Sequence, residues 1–309
     1  MRWHPLEIVF WLCTLLPFVV TPNYLSLASQ IAITALFALS LDLILGYAGI
    51  VSLGHAAFFG VGAYTAGLLA KHYFAEPLSG LLLAAVISGL VGYATSHIVV
   101  RFRHLALIML TMGLGLLLHE AANSASALTG GADGLQGFRV PAVLGFKFDM
   151  FGRAAYAYSL AILFLCFLVC RRIIHSPFGL ALRGIRENAT RMPAIGAPSR
   201  AHLRKAYTVA AVLAGIAGAM LTHTTSTVSL ETLSFGRSAD VLVILILGGA
   251  GRLYGGIIGA IIYMVARDQF SGANPQYWYF WIGLLLVAVV MFLPNGILGG
   301  LSKFFQPRS

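Results

Sequence analysis

The sequence is poor in charge and in cysteine, and each shortage excludes a class of protein. Charged residues make up only 10% of its 309 residues and hydrophobic residues make up 59%, whereas a soluble domain is about 25% charged. At a mean hydropathy of +0.87, the chain cannot cover its surface with polar groups, so lipid must cover most of it. The cysteines, Cys13, Cys166 and Cys170, stand in apolar runs, which argues against a disulfide framework or a cysteine metal site.

Motifs that carry chemistry are also missing. The chain has no GxxxxGK[ST] motif for ATP and no GxSxG motif for a nucleophile. His119 and Glu120 are adjacent, but Asn123 stands where a zinc motif needs its second histidine. We therefore expect no catalytic residue, no metal site and no cofactor bound by this chain itself.

Long apolar segments are abundant instead. A bilayer core about 30 Å thick needs roughly 20 apolar residues per helix, so we predict an all-α polytopic membrane protein with about 8–10 transmembrane segments in a single domain, 1–309. The first segment begins like a signal peptide, but no small-x-small cleavage site follows it, so we expect it to be retained. The predicted spans are 6–21, 25–45, 49–70, 79–100, 105–125, 155–174, 205–226, 238–248 with 252–266, and 277–293.

Basic residues are concentrated in one loop, and this loop sets the expected orientation. Residues 171–205 contain eight lysines and arginines but a single acid, Glu187, and such loops face the cytoplasm. Counting spans from there places Arg101 and Arg103 inside, the 126–152 loop outside, and both termini in the cytoplasm. The net charge of +10 is therefore attributed to cytoplasmic loops rather than to nucleic-acid binding.

The same loop, with its core at 175–204, predicts a short helix. Ser176 and Pro177 are typical of a helix start, Pro193 is expected to end the helix, and Ser199 is expected to cap the next one. The residues between them form a modest apolar face and a basic face. This pattern fits equally a helix on anionic lipid and a docking helix for another subunit.

Two glycine-rich breaks interrupt the apolar segments. LGYAG at 45–49 and LGGAG at 247–251 agree at four of five positions, which indicates two weak repeats of the kind found in transporters. Glycine lets a helix unwind at membrane depth, and unwound backbone must face protein or a polar path. The alternative explanation of the glycines is close helix packing through small residues. The predicted translocation path or hinge consists of Asp42, Gly46, Gly49, Ser52, Gly54, His55, Gly248, Gly249, Gly251 and Arg252.

Charged residues flank both breaks. Asp42 precedes the first break and Arg252 follows the second, and an unpaired charge at membrane depth is costly. We hypothesise that the two pair across the repeat interface; the alternative is that each reaches the cytoplasmic headgroups. Arg237 and Asp240 are expected near an interface without a special role.

Taken together, these segments resemble one known family. They are SLDLILGYAGIVSLGHAAFFGVGAYTAGLLA, LTGGADGLQG (128–137), SPFGLALRGIRENATRMPAIG (176–196) and LGGAGRLYGGIIGA. All four are similar to LivM-type permeases of branched-chain amino acid ABC importers, and the similarity covers about residues 25–300. The resemblance implies a non-catalytic permease of the bacterial inner membrane. It also implies three kinds of partner: a LivH-type permease, two LivG/LivF-type ATPases that carry ATP-Mg, and a periplasmic solute-binding protein.

The resemblance also implies roles for two further sets of residues. The family's ATPase-coupling helix corresponds to Arg183, Arg186, Glu187, Asn188, Ala194, Ile195 and Gly196. The loop facing the binding protein corresponds to Thr129, Gly130, Gly131, Asp133 and Gly134.

The sequence departs from the family at several positions. Asp42 stands where asparagine is common, MPAIG (192–196) replaces an AEALG-like run, and 255–256 are GG instead of GP. The substrate therefore stays open among branched-chain amino acids, urea, short amides and aromatic carboxylates. An ion-coupled secondary transporter that uses Asp42 or Glu120 is the alternative class.

Overall fold

Every regular element of the described chain is helical in the computed structural model of the protein. The structure describes residues 5–20, 24–73, 76–138, 140, 152–293 and 296–305. Its α-helices are α1 (Pro5–Cys13), α2 (Pro17–Val20), α3 (Leu25–Asp42), α4 (Ala56–Tyr73), α5 (Pro77–Val99), α6 (His104–Ser124), α7 (Ser126–Thr129), α8 (Arg153–Ile174), α9 (Pro177–Asn188), α10 (Ser199–Thr225), α11 (Phe235–Gly248), α12 (Gly255–Ala273), α13 (Trp278–Phe292) and α14 (Gly296–Phe305). Six helical stretches, around α3, α5, α6, α8, α10 and α13, are long and apolar enough to cross a membrane. The fold is that of a multi-pass helical membrane protein.

Helices α3 and α10 form the centre of the molecule. Both are buried along most of their length, and α10 packs against α3, α4 and α5. Small residues make the approach of α4 possible, because a Cβ on Gly218 of α10 would fall on the Phe59 carbonyl oxygen. By contrast, α5, α6 and α13 are largely exposed and apolar, as expected where lipid is the solvent.

Predicted spans 6–21 and 49–70 are interrupted or shortened in the structure. The predicted span 6–21 is divided into α1 and α2 within its described part, because Pro17 has no N–H to continue the helix. The predicted span 49–70 is wrong over its first part, since α4 begins only at Ala56 and residues 48–55 are not helical. This non-helical stretch, named here the re-entrant segment, carries several of the predicted path residues.

Helix α9 begins as predicted. The Ser176 hydroxyl oxygen accepts a hydrogen bond from the Gly179 N–H at 3.4 Å, and Pro177 is the first helical residue. Its end was predicted wrongly at Pro193. The helix ends at Asn188, whose side-chain oxygen accepts from the N–H groups of Thr190 and Arg191 and so turns the chain.

The turn after α9 also differs from expectation. Pro193 lies within a short 3₁₀ turn, Met192–Ile195, and α10 already begins at Ser199, before the predicted 205. Ser199 does not cap α10: its hydroxyl donates to the Ala189 carbonyl at 3.1 Å, which ties the turn closed. The prediction failed because a hydroxyl near a helix start has other acceptors once the chain folds back.

Candidate functional site

The two glycine breaks meet in space. A Cβ on Gly46 would collide with the Gly251 backbone, and a Cβ on Gly251 would lie 3.0 Å from the Gly46 carbonyl oxygen. The last glycines of the two pentapeptides, Gly49 and Gly251, have φ values of +74° and +80°, which favour glycine. The sequence predicted two breaks, and the fold joins them into one contact, named here the glycine contact.

Asp42 joins the glycine contact through the backbone. Its fully buried carboxylate accepts a hydrogen bond from the Gly251 N–H at 2.7 Å. The hypothesis of a pair with Arg252 is wrong, because no ion pair joins these two described residues. Arg252 instead lines a separate recess with Glu7 and Phe10. The turn at Gly251 frees a buried N–H, and that N–H is the donor that Asp42 satisfies.

The remaining glycines of the second break allow close packing. A Cβ on Gly248 would fall on the Gly255 carbonyl oxygen, so α11 and α12 approach each other there. Gly249 has a φ of +108°, which lets the chain leave α11. Both positions therefore favour glycine for steric reasons, independently of any role as a hinge.

Helix α9 lies directly against the glycine contact. The Arg186 guanidinium donates a hydrogen bond to the Gly46 carbonyl, and its stem is 3.1 Å from where a Cβ on Gly49 would be. Arg183 lies over the Tyr47 ring, 5.2 Å from its centroid. Two residues of the predicted coupling helix therefore contact the first break, which the sequence did not indicate.

The other predicted coupling residues face outward. Glu187, Asn188, Ala194 and Gly196 are exposed. Gly196 has a φ of +86°, and nothing lies within 4 Å of where its Cβ would be. Ile195 lies in the 3₁₀ turn, but its side chain is outside the described part. These exposed positions lie at the end of α9 and in the turn that follows it.

The re-entrant segment is held inside the protein by other helices. The Leu53 N–H donates to the Thr111 hydroxyl of α6 at 3.3 Å, and the Ala56 N–H donates to the Ser238 hydroxyl of α11 at 2.9 Å. A Cβ on Gly54 would fall on the Thr111 carbonyl oxygen, so the segment runs against α6. These two N–H groups, at the end of the segment and the start of α4, are thus paired with protein hydroxyls, as burial requires.

Two polar side chains of the segment are fully buried. His55 Nε2 lies 2.8 Å from the Ser40 hydroxyl oxygen, and its ring stacks on Phe37. His55 Nδ1 and Ser52 Oγ make no hydrogen bond with any described residue. Unpartnered polar atoms at such depth are uncommon in a purely structural core.

Cavities lie on both sides of this segment. One, named here the inner cavity, has about 1190 Å³ of empty space counting its open mouth and is lined by arginines that include Arg101, Arg103 and Arg186. The other, named here the outer cavity, has about 510 Å³ on the same measure. Its polar lining residues are Gln30, Thr34, Arg237, Asp240, Tyr263 and Arg267.

The outer cavity was missed from the sequence. Arg237 and Asp240 were expected near an interface without a role, yet both line the cavity together with Arg267 of α12. Their spacing of three residues places them on one face of α11, which was the available signal. Aromatic rings of Phe37 and Phe59 line the same cavity, and Phe37 stacks on His55, so the re-entrant segment lies next to it.

The predicted loop facing a binding protein is compact in its described part. Thr129 is buried and its hydroxyl donates to Ala125, while Gly130, Gly131 and Gly134 all have positive φ values. Leu135 pairs with Val228 in an isolated bridge between the segments that follow α7 and α10. Asp133 is exposed. Residues 139 and 141–151 of the predicted 126–152 loop lie outside the described residues.

Comparisons with known proteins agree on one family. The family profile described as "Branched-chain amino acid transport system / permease component" matches residues 23–290. The high-affinity branched-chain amino acid transport system permease proteins LivM of Salmonella typhimurium and Escherichia coli K12 are each 29% identical to this chain, over 91% of it and 71% of the relative. A probable branched-chain amino acid transport permease protein LivM of Methanocaldococcus jannaschii is 23% identical, over 84% of this chain and 89% of the relative. No solved structure matches the chain.

Proposed function

We propose, since the chain belongs to the family of branched-chain amino acid transport system permeases, that it forms the passage through which an ATP-driven importer moves branched-chain amino acids. The observation that carries this proposal is the direct contact between the coupling helix and the path. Arg186 of α9 binds the Gly46 carbonyl at the point where the two breaks meet. A displacement of α9 would therefore reach both breaks at once.

The proposed orientation places α9 and the inner cavity in the cytoplasm. The arginines of the 171–205 loop and of the inner cavity support this, because cytoplasmic loops carry the excess of lysine and arginine. Both termini then lie in the cytoplasm, and the outer cavity and the Thr129–Gly134 loop face the periplasm. The hairpins α3–α4 and α11–α12 are the two repeats, each turning at a break on the cytoplasmic side.

The proposed partners follow from this arrangement. The exposed surface of Glu187, Asn188, Ala194 and Gly196 docks a LivG/LivF-type ATPase, which holds ATP-Mg, while this chain contributes no catalytic group. A LivH-type permease completes the membrane core in the bacterial inner membrane. A periplasmic binding protein delivers substrate to the outer face, near the Thr129–Gly134 loop.

The mechanism is alternating access across the re-entrant segment. ATP-driven closure of the ATPases moves α9, and Arg186 transmits that displacement to Gly46 and Gly251. The segment between them then shifts so that the outer and inner cavities open in turn. Buried Ser52 and His55 offer polar atoms along the way, while most of the lining is apolar, which suits an apolar amino acid released from a binding protein.

A reconstituted complex tests the proposal. The complex is reconstituted in proteoliposomes from this chain, its partner permease, both ATPases and the binding protein. These proteoliposomes are expected to take up leucine only when ATP is present on the same side of the membrane as the ATPases. Collapsing proton and sodium gradients with ionophores is expected to leave uptake unchanged. Uptake that follows an ion gradient without ATP would contradict the proposal and favour a secondary transporter.

A further inference from the structure

The outer cavity contains charged groups that the proposed passage does not yet use. Arg237 and Asp240 of α11 and Arg267 of α12 line it together. At about 1.5 Å per residue, Arg237 and Asp240 lie about 16 and 12 Å from the end of α11 at Gly248, and Arg267 lies about 18 Å from the start of α12 at Gly255. The charges therefore form one cluster on the far side of the re-entrant segment from α9.

Hydrogen-bonding capacity is left over in this cluster. The Asp240 Oδ1 atom accepts from the Tyr263 hydroxyl at 2.8 Å, which leaves Oδ2 available. Arg237 lies 5.5 Å from the Phe59 ring centroid and Arg267 lies 5.1 Å from the Trp278 ring centroid. Within the described residues neither arginine forms an ion pair with an acid. The rings orient the guanidinium groups but do not use their N–H donors.

Apolar side chains also line the outer cavity, namely Ile33, Phe37, Val241, Ile244 and Met264. The enclosed space is about 50 Å³, below the roughly 300–1,000 Å³ of small-ligand sites, so the cavity has to widen to admit a ligand. A ligand that matches this lining has a charged end and an apolar end.

We infer that the outer cavity is a transient binding site for a zwitterionic α-amino acid with an apolar side chain. Its carboxylate binds Arg237 and Arg267, its ammonium group binds Asp240, and its side chain lies against the apolar lining residues. This inference rests on the proposed function, to which it adds the groups that recognise the substrate inside the permease.

The charges in the cavity disfavour other solutes. A cationic side chain would face two arginines, and urea would leave the excess positive charge of the cavity without a counter-charge. A carboxylate without an amino group would pair with the arginines but leave Asp240 close to a second anion. A zwitterion matches both signs, and the excess positive charge favours its carboxylate end.

Transport by variants of the complete complex is the first test. Arg237→Gln, Arg267→Gln and Asp240→Asn are each expected to lower leucine uptake at low concentration about tenfold or more, since each removes a charge-assisted bond. Arg237→Lys is expected to restore part of it. Asp268→Asn, beside Arg267 in sequence, and Arg153→Gln, at the exposed start of α8, are the controls and are expected to transport as the unaltered protein does. Cavity variants that transport normally would overturn the inference.

A binding measurement separates this inference from the proposed function, because it requires no ATP-driven uptake. In a Cys13→Ser background, Thr34→Cys places a thiol in the outer cavity, and its reaction with a maleimide is followed in the purified complex. Leucine is expected to slow labelling severalfold, whereas 4-methyl-2-oxopentanoate, which lacks the amino group, is expected to protect less. Asp240→Asn is expected to abolish this difference.

The outcomes of the labelling experiment are distinct. Protection by leucine in a complex that fails to import it would retain the binding site and overturn the proposed transport function. Equal or stronger protection by the oxo acid would overturn the role of Asp240. An absence of protection by either compound would overturn the site itself.

Discussion

At the residue scale, the glycine contact forms because glycine has no Cβ atom. A Cβ on Gly46 would collide with the Gly251 backbone, and Gly251 adopts a positive φ with little room for a Cβ. The Asp42 carboxylate accepts a hydrogen bond from the Gly251 N–H in this turn. Arg186 satisfies the Gly46 carbonyl from the other side. The Gly46 carbonyl and the Gly251 N–H are thereby paired, as buried backbone requires.

Asp42 is expected to act mainly as a hydrogen-bond acceptor. Asp42→Asn keeps a side-chain oxygen for the Gly251 N–H and is expected to change stability little. Asp42→Leu leaves that N–H buried without an acceptor and is expected to cost about 1–3 kcal/mol. Thermal unfolding of the detergent-solubilised complex measures both. Equal stability of the two variants would show that the bond to Gly251 does not contribute.

Gly46→Ala is expected to separate the two breaks. The added Cβ collides with the Gly251 backbone and with the Asp42 carboxylate, and overpacking of this kind costs about 1–3 kcal/mol. Gly113→Ala on α6 is the matched control, because nothing lies within 4 Å of its Cβ position. Unfolding temperature and leucine uptake are both expected to fall for Gly46→Ala alone. A Gly46→Ala protein that behaves like the control would argue against a close contact.

At the element scale, helix α9 and the turn that follows it connect the glycine contact to the surface of the protein. Leu182 packs with Ala48 and Ala206, and Arg186 binds Gly46, so one side of α9 is committed to the permease. At the end of the helix Glu187 and Asn188 are exposed, as are Pro193, Ala194 and Gly196 in the turn. The sequence predicted the helix and its start, but its end was decided by Asn188 rather than by Pro193.

Gly196→Trp is expected to abolish substrate-stimulated ATPase activity while membrane insertion stays unchanged. The position has open space around it, so the indole would project into the proposed docking surface. Gly196→Ala is the control, since it carries the same strain at φ +86° without the bulk, at a cost of about 1–2 kcal/mol. Stimulated activity that persists in Gly196→Trp would exclude this surface as the ATPase contact.

At the scale of the whole molecule, the orientation determines which cavity receives substrate. Helix α9 and the arginine-lined inner cavity lie at one end, and the outer cavity lies across the re-entrant segment from them. If the arginine-rich end is cytoplasmic, substrate enters at Arg237, Asp240 and Arg267 and leaves past Arg186.

Thiol labelling of intact cells tests this orientation. In a Cys13→Ser background, Ser126→Cys is expected to react with a membrane-impermeant maleimide from outside. Thr190→Cys is expected to react only after the membrane is permeabilised. Both positions are exposed, and the native Cys166 and Cys170 are buried and give a low background. The reverse pattern would invert the proposed direction of transport.

The sequence by itself determined the class of the protein and the elements of its site. Low charge and long apolar segments require a membrane solvent, and the glycine pentapeptides and the α9 start follow from local backbone chemistry. The tertiary structure alone decided that the breaks meet, that Asp42 binds Gly251 rather than Arg252, and that Arg237, Asp240 and Arg267 share a cavity. These pairings join residues far apart in the chain, and local patterns carry no information about which distant group will satisfy a buried polar atom.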